Sequence, residues 1–271
     1  MTYSREITDP KLGFGLEGVL AQRRPNLHGI LNSIDMREWN PAADTKLPAV
    51  FDIRHLAGKK ACRAELARRC GLVPGNAAPL AGMVSRLDEQ KGFDILEAAI
   101  DRLMSIDLRI VILGAGAQRF REALEALEKR HPGRVRVFSG FDSDLAHLIY
   151  AGSDMFLMPS RYEPCGLGQL VAMRYGAIPV VHATGGLADT VIDLTGDPRR
   201  GAGFSFGEYT PEALVDAIMR AVSLYREPGR RRWTAAVRRA MAQDYSWETS
   251  AREYEHLYER IRNRRRGNAS N

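Results

Sequence analysis

Five short apolar runs limit most strongly what this chain can fold into. They lie at residues 78–84, 109–113, 135–139, 155–158 and 178–181, and stretches of helical apolar spacing separate them. Residues 91–104, for example, carry Phe93, Leu96, Ile100 and Leu103 on one helical face. Residues 119–130, 145–151, 167–175, 188–193, 211–225 and 247–262 read as further helices. Short buried strands that alternate with helices imply a parallel sheet, because every parallel connection must cross over one face. The expected fold class is therefore α/β, a Rossmann-like parallel sheet with helices on both faces. In such sheets ligands bind beyond the carboxyl ends of the strands. That directs attention to the segments after Val84, Leu113, Ser139, Met158 and Val181. Residues 1–48, rich in Gly, Pro and Asn, read as a connector; residues 49–245 read as the ligand-binding domain; residues 246–271 read as a terminal helix with a basic tail.

Composition narrows the classes. The chain has 271 residues, 45% of them apolar and 27% charged, which excludes wholesale disorder and fibrous repeats. No run approaches the ~20 apolar residues of a membrane helix, and the first residues lack a signal peptide's apolar core. Cys62, Cys70 and Cys165 form no C-x-x-C pair, so a reducing cytoplasm is expected. The net charge is +6, with Arg260, Arg262, Arg264, Arg265 and Arg266 crowded near the end. No aromatic side chains interleave with these arginines as stacking on single strands would require. A solvated end is expected, with no nucleic-acid and no membrane partner. His28, His55, His131, His147, His182 and His256 are not spaced as metal pairs, and no metal is expected.

Four rim segments carry the candidate chemistry. Gly114-Ala-Gly116 opens like a dinucleotide fingerprint but lacks the third glycine and the ribose-binding acid, so it reads as a tight strand-to-helix turn. Ser85 to Gly92 sets Arg86 and Lys91 around a turn, either converging on one anion or simply solvated. Ser160 to Gln169 places Glu163 before a helix expected near Gly166, with Gly166 and Gly168 allowing close approach to the backbone. Thr184 to Thr190 repeats a glycine pair, Gly185-Gly186, at a strand end. Cys165, if at a helix start, has a setting that lowers a thiol pKa. No histidine or asparagine stands nearby to complete a dyad, so no nucleophile is assigned. His182 ends a rim strand and reads as structural.

These strings resemble the bacterial glycogen synthases and plant starch synthases, retaining glycosyltransferases of the two-domain GT-B fold. The carrying residues are Gly29-Ile-Leu-Asn32-Ser-Ile-Asp35 with Trp39-Asn-Pro41, Ser85-Arg86 to Gly92, Glu163-Pro-Cys165-Gly-Leu-Gly-Gln169, Thr184-Gly-Gly-Leu-Ala-Asp-Thr-Val191, and Asp244-Tyr-Ser-Trp247. The resemblance covers nearly the whole chain and places it as the C-terminal, donor-binding part of a GT-B fold. It implies transfer of glucose from ADP-glucose to the non-reducing end of an α-1,4-glucan, with ADP-glucose as substrate and no cofactor.

Residue by residue, the resemblance makes Arg86 and Lys91 the pair that holds the donor diphosphate. Glu163 becomes the carboxylate on the glucose hydroxyls. Cys165, Gly166 and Leu167 become a sugar and phosphate cradle, and Phe141 an adenine-stacking ring. Gln169 stands near the second carboxylate of related E-x7-E transferases; the strict position is Val171. Thr184, Gly185, Gly186 and Leu187 line the phosphate and sugar side. Ser33 departs from a usual glycine. The family's N-terminal domain, with its Lys-Thr-Gly-Gly loop, acceptor site and histidine, has no counterpart in this sequence. Residues 3–7 resemble the last segment of that domain, and the helix at 247–262 normally crosses back onto it. A separate N-terminal half is therefore an expected partner, and little turnover is expected of this chain by itself. Two alternatives stay open: a non-catalytic nucleotide- or glucan-binding module, and a GT-B transferase for another nucleotide sugar.

Overall fold

The computed structural model describes residues 1–73 and 78–268, with side chains described through residue 264. One sheet contains six strands: β1 Leu80–Leu87, β2 Arg109–Gly116, β3 Val135–Ser139, β4 Met155–Met158, β5 Ile178–His182 and β6 Phe204–Phe206. All pairs are parallel and the order is β3-β2-β1-β4-β5-β6. The helices in chain order are α1 Thr2–Glu6, α2 Glu17–Gln22, α3 Ala57–Arg69, α4 Phe93–Ser105, α5 Gln118–Arg130, α6 Ser143–Gly152, α7 Gly168–Arg174, α8 Gly185–Thr190, α9 Pro211–Tyr225, α10 Arg231–Met241 and α11 Trp247–Asn268. The central strands are mostly apolar because helices cover both faces; β4 and β5 are buried at every position. The fold is Rossmann-like, as expected.

The strand order reverses between β1 and β4. Crossovers from β1 run one way to β2 and β3, then the chain returns to place β4 on the other side of β1. The two diverging loops leave a crevice at their carboxyl ends, the usual ligand position in such sheets.

Several local expectations change. Gly114 and Gly116 are strand residues, paired with Ser85 and Leu87, so the expected tight turn is an extension of the sheet. The glycines are needed for another reason: a Cβ on Gly114 would stand 2.4 Å from the Ser85 carbonyl oxygen, and one on Gly116 2.3 Å from that of Leu87. The helix expected over 188–193 is α8, which starts at the glycine pair and ends at Thr190. The strand β6 is three residues long, too short for an apolar run to announce it. Helix α3 is equally quiet in sequence, because it buries only Cys62 and Leu66 on one side. Arginines flanking Trp233 and Val237 mask α10 in the same way.

The first residues are more than a connector. Ile34 is buried in the core. Asp44, also buried, accepts a hydrogen bond from the Tyr175 hydroxyl at 2.6 Å, and its Oδ2 lies 2.7 Å from His147 Nδ1. Trp39 stacks on His147 with ring centroids 4.2 Å apart. Ser33, the departure from glycine, is accommodated by donating to the Ser246 carbonyl at 2.8 Å. Its hydroxyl also meets that of Ser250 at 2.6 Å. The basic tail begins within α11, and the side chains of Arg265 and Arg266 lie outside the described residues.

Candidate functional site

The loops after β1 and β4 meet at the order reversal. A short 3-10 turn, Glu89–Lys91, follows β1 and ends at Gly92 in the left-handed region, φ +76°. A side chain at Gly92 is impossible there, since its Cβ would lie 2.0 Å from the Pro159 carbonyl oxygen. This close approach delivers Lys91 to Glu163: the ammonium donates to the carboxylate at 2.6 Å, with side chains only 15% and 7% exposed. Ser160 Oγ donates to the same carboxylate oxygen at 2.9 Å. His182 Nδ1 lies 2.8 Å from the Ser160 carbonyl. A carbonyl only accepts, so that nitrogen carries the proton. His182 thus ties the end of β5 to the loop after β4.

Gln90 stitches the two loops. Its Nε2 donates to the Tyr162 carbonyl at 3.2 Å, and its own backbone carbonyl accepts from the Arg161 N–H at 2.8 Å. Arg86 reaches Gln90 Oε1 at 3.0 Å and Asp88 at 2.9 Å, with its side chain 70% exposed. The two cations therefore differ: Lys91 is half of a buried ion pair, whereas Arg86 stands at the open edge. Together with Ser160, Glu163, Gly166 and Leu167 they line a cavity of about 240 Å³.

The loop after β4 closes onto the loop after β5. Gly186 N–H donates to the Glu163 carbonyl at 2.9 Å. A Cβ on Gly185, whose φ is +45°, would stand 1.9 Å from that same oxygen, and one on Gly186 would stand 2.0 Å from the Cys165 carbonyl oxygen. Gln169 is fully buried and works from behind the loop. Its Nε2 donates to the carbonyls of Cys165 and Gly166 at 3.1 and 2.9 Å and to Thr190 Oγ1 at 3.1 Å. Thr190 Oγ1 in turn donates to the Gly186 carbonyl at 2.6 Å. The helix start lies at Gly168, later than Gly166, which adopts φ +71°. Among the described residues, the N–H groups of Gly166 and Leu167 donate to no protein acceptor.

Cys165 does not have the expected activated setting. Burial pushes its thiol above the ordinary range; the contact to the Asn32 carbonyl opposes it, and the charges of Glu163 and Asp189 add smaller upward pushes. Phe141 is 92% exposed on the loop after β3, two strands from the crevice.

The sequence reading missed Ser160, Gln90 and Glu6. The Glu6 carboxylate accepts from Gly185 N–H at 3.0 and 3.1 Å and from Thr184 Oγ1 at 3.1 Å. Thr2 anchors the same helix, giving its N–H to Asp189 at 2.8 Å and its hydroxyl to Asp189 at 2.8 Å. Two of the donors expected to face a ligand thus hold a carboxylate of the chain itself. Nothing in the residue spacing links position 6 to position 185. Among the described residues no group of three or more His, Cys, Asp or Glu is arranged to hold a metal ion, and no helix is long and apolar enough to cross a membrane.

Comparison with known proteins shows what the chain as a whole is similar to. The family model described as glycosyl transferases group 1 matches residues 73–240. A glycogen synthase of Anaeromyxobacter dehalogenans (strain 2CP-C) is 52% identical over 257 residues, which cover 95% of this chain and 54% of that protein. Glycogen synthase 2 of Geobacter sulfurreducens is 49% identical over 266 residues, 98% of this chain and 54% of that protein. Among solved structures, the catalytic domain of starch synthase IV from Arabidopsis thaliana, bound to ADP and acarbose, superposes with a TM-score of 0.90 at 36% identity. The match covers 96% of this chain and 54% of that one. The chain spans about half the length of the curated relatives it matches.

Proposed function

The chain belongs to the family of glycosyl transferases group 1, and from that premise we propose that it is the nucleotide-sugar-binding half of a glycogen synthase. In this reading it takes part in transfer of glucose from ADP-glucose to the non-reducing end of an α-1,4-glucan, with retention. The observation that carries the reading is the Lys91–Glu163 pair at the strand-order reversal, with Arg86 at its open edge.

Each residue has a task that follows from charge. Negative charge grows on the departing diphosphate as the glycosidic bond breaks. Lys91 and Arg86 neutralise it, and a fixed cation costs no reorganisation during the reaction. Glu163 accepts from sugar hydroxyls through its second oxygen, since Lys91 and Ser160 both bind Oε2. The N–H groups of Gly166 and Leu167 supply further donors. Gln169 keeps their loop in place without touching the ligand. Phe141 is the candidate adenine platform, and Thr184 to Leu187 line the far side once Glu6 withdraws. The three free cysteines suit a reducing compartment, in keeping with a cytoplasmic enzyme. The acceptor glucan and a partner supplying the N-terminal half complete the proposal.

Calorimetric titration with ADP tests it. Saturable binding is expected, weakened roughly ten- to hundredfold in Lys91→Ala and weaker with UDP. Absence of ADP binding in a chain whose circular dichroism shows a folded α/β spectrum would overturn the reading, and a preference for UDP would redirect it to another nucleotide sugar.

A further inference from the structure

The side chain of Gln90 is fixed at both ends. Its Nε2 donates to the Tyr162 carbonyl at 3.2 Å, and its Oε1 accepts from Arg86 Nη2 at 3.0 Å. A carbonyl only accepts and a guanidinium only donates, so the amide has a single orientation here. A glutamate at this position would lack the donor, and a lysine would lack the acceptor. The backbone adds a third link, because the Gln90 carbonyl accepts from the Arg161 N–H at 2.8 Å. Arg161 is itself braced: its Nη2 donates to Asp94 Oδ2 at 2.7 Å, and the Tyr209 hydroxyl donates to Asp94 Oδ1 at 2.6 Å.

Arg86 has a second tether, and the two differ in reach. Its Nη1 lies 2.9 Å from Asp88 Oδ2, just past the end of the same strand, β1. Asp88 therefore fixes the guanidinium only relative to its own turn. Gln90 ties it instead to Tyr162, the residue beside Glu163 on the loop after β4. Arg86 lines the crevice cavity, and Gln90 stands outside that lining.

The tethers matter because the Arg86 side chain is 70% exposed. A free surface arginine surrenders rotamer freedom when it grips an anion; one held beforehand at both terminal nitrogens has less to surrender. Nε and a second hydrogen on each terminal nitrogen remain for the anion. A neutral amide also restrains the guanidinium without cancelling its charge, which a further carboxylate would do.

We infer that Gln90 is a positioning residue for the donor diphosphate, holding Arg86 in register with Glu163 across the strand-order reversal. It acts through Arg86, and the inference rests on the reading of Arg86 as a diphosphate cation.

A double-mutant cycle on the full chain tests it, with ADP affinity read by calorimetry. The four proteins are the parent, Gln90→Met, Arg86→Met and the double variant. Methionine keeps the length of glutamine and removes its donor and acceptor. Gln90→Met is expected to weaken ADP about tenfold in the parent and by less than about twofold in the Arg86→Met background, as for groups that act as a unit. A residue that merely supports the loop would cost the same in both backgrounds, so general loosening cancels in the cycle. Gln90→Ala, which removes the side chain at a partly exposed position, repeats the cycle if Gln90→Met does not fold. Equal losses in both backgrounds, or no loss in either, would overturn the role of Gln90 and leave the ADP site standing. A parent chain that binds ADP with no loss in Arg86→Met would overturn Arg86 as the cation and this role with it. A folded parent chain that binds no ADP would overturn the reading of the crevice itself, and the role of Gln90 falls with that reading.

Discussion

Lys91 Nζ lies 2.6 Å from Glu163 Oε2, a contact that joins loops 72 residues apart across the reversal of strand order. Removing one partner leaves the other charge buried and unpaired. Lys91→Ala should cost about 3 kcal/mol of stability and lower ADP affinity by roughly ten- to hundredfold, the worth of a charge-assisted bond. The double variant Lys91→Met with Glu163→Gln should recover much of the stability and none of the binding. Urea denaturation and calorimetry on the same samples separate the two effects.

Gly185 should tolerate no side chain. Its φ is +45°, and a Cβ at this position would come within 1.9 Å of the Glu163 carbonyl oxygen, so the backbone would have to move. Gly185→Ala is expected to lose about 2 kcal/mol or more, a fall in Tm of roughly 4–8 °C for a chain of this size. Gly207 has open space where its Cβ would be; Gly207→Ala serves as the control and should melt with the parent chain.

Gln169 holds the loop from Cys165 to Gly166 against Thr190 through one amide nitrogen, whose two hydrogens serve three acceptors, one of them shared. Gln169→Ala deletes these bonds and opens a void in a fully buried position, at a cost of about 2–4 kcal/mol. Because the loop loses its support, ADP affinity should fall as well, while Gln169→Glu keeps the volume but removes the donor and should fail in the same way. Denaturation midpoints and ADP titrations check both statements.

Asp44 makes part of the stability acid-sensitive. Burial acts to raise its pKa, but the hydrogen bonds from Tyr175, His147 and the Lys46 N–H together with the nearby His147 outweigh burial and leave it below the ordinary carboxylate value. A carboxylate depressed in the folded state contributes stability that is fully present above its unfolded pKa, about 3.9. That contribution is lost as pH falls through the lower folded value. Asp44→Asn should therefore destabilise the chain by about 2–3 kcal/mol at pH 7 and flatten the decline below about pH 4. Denaturation curves collected from pH 7 downward test the sign.

Glu6 occupies Gly185 N–H and Thr184 Oγ1. If those groups serve the donor, the carboxylate competes with it. Glu6→Ala should then tighten ADP binding severalfold, roughly the 1–1.5 kcal/mol of one to two displaced hydrogen bonds. An unchanged or weaker ADP titration would remove Thr184 and Gly185 from the ligand's surroundings.

Much of the fold was legible along the chain because its signals are local. The apolar runs that became β1 to β5 needed only their own residues to announce burial, and the spacing of Phe93, Leu96, Ile100 and Leu103 announced α4. The elements that were missed lack such signals: β6 is three residues long, α3 buries two, and α10 hides its apolar stripe among arginines. The strings around Lys91, Glu163 and Gly185 were equally legible, since glycines and charges at strand ends mark a rim whatever the strand order.

What the chain could not show one residue at a time is which rim groups meet. Lys91 and Glu163 form a pair only because β4 returns beside β1, and the glycine at position 92 lets the two loops touch. The role of Gln169 behind the loop, the capture of Thr184 and Gly185 by Glu6, and the bridge from Tyr162 through Gln90 to Arg86 follow from the same cause. Residue type and local spacing set what each segment can form, because helix and strand preferences act over a few residues. Side chains far apart in sequence become partners only when packing of the whole sheet sets their distances, and the energy of a charge or a hydrogen bond depends on that distance.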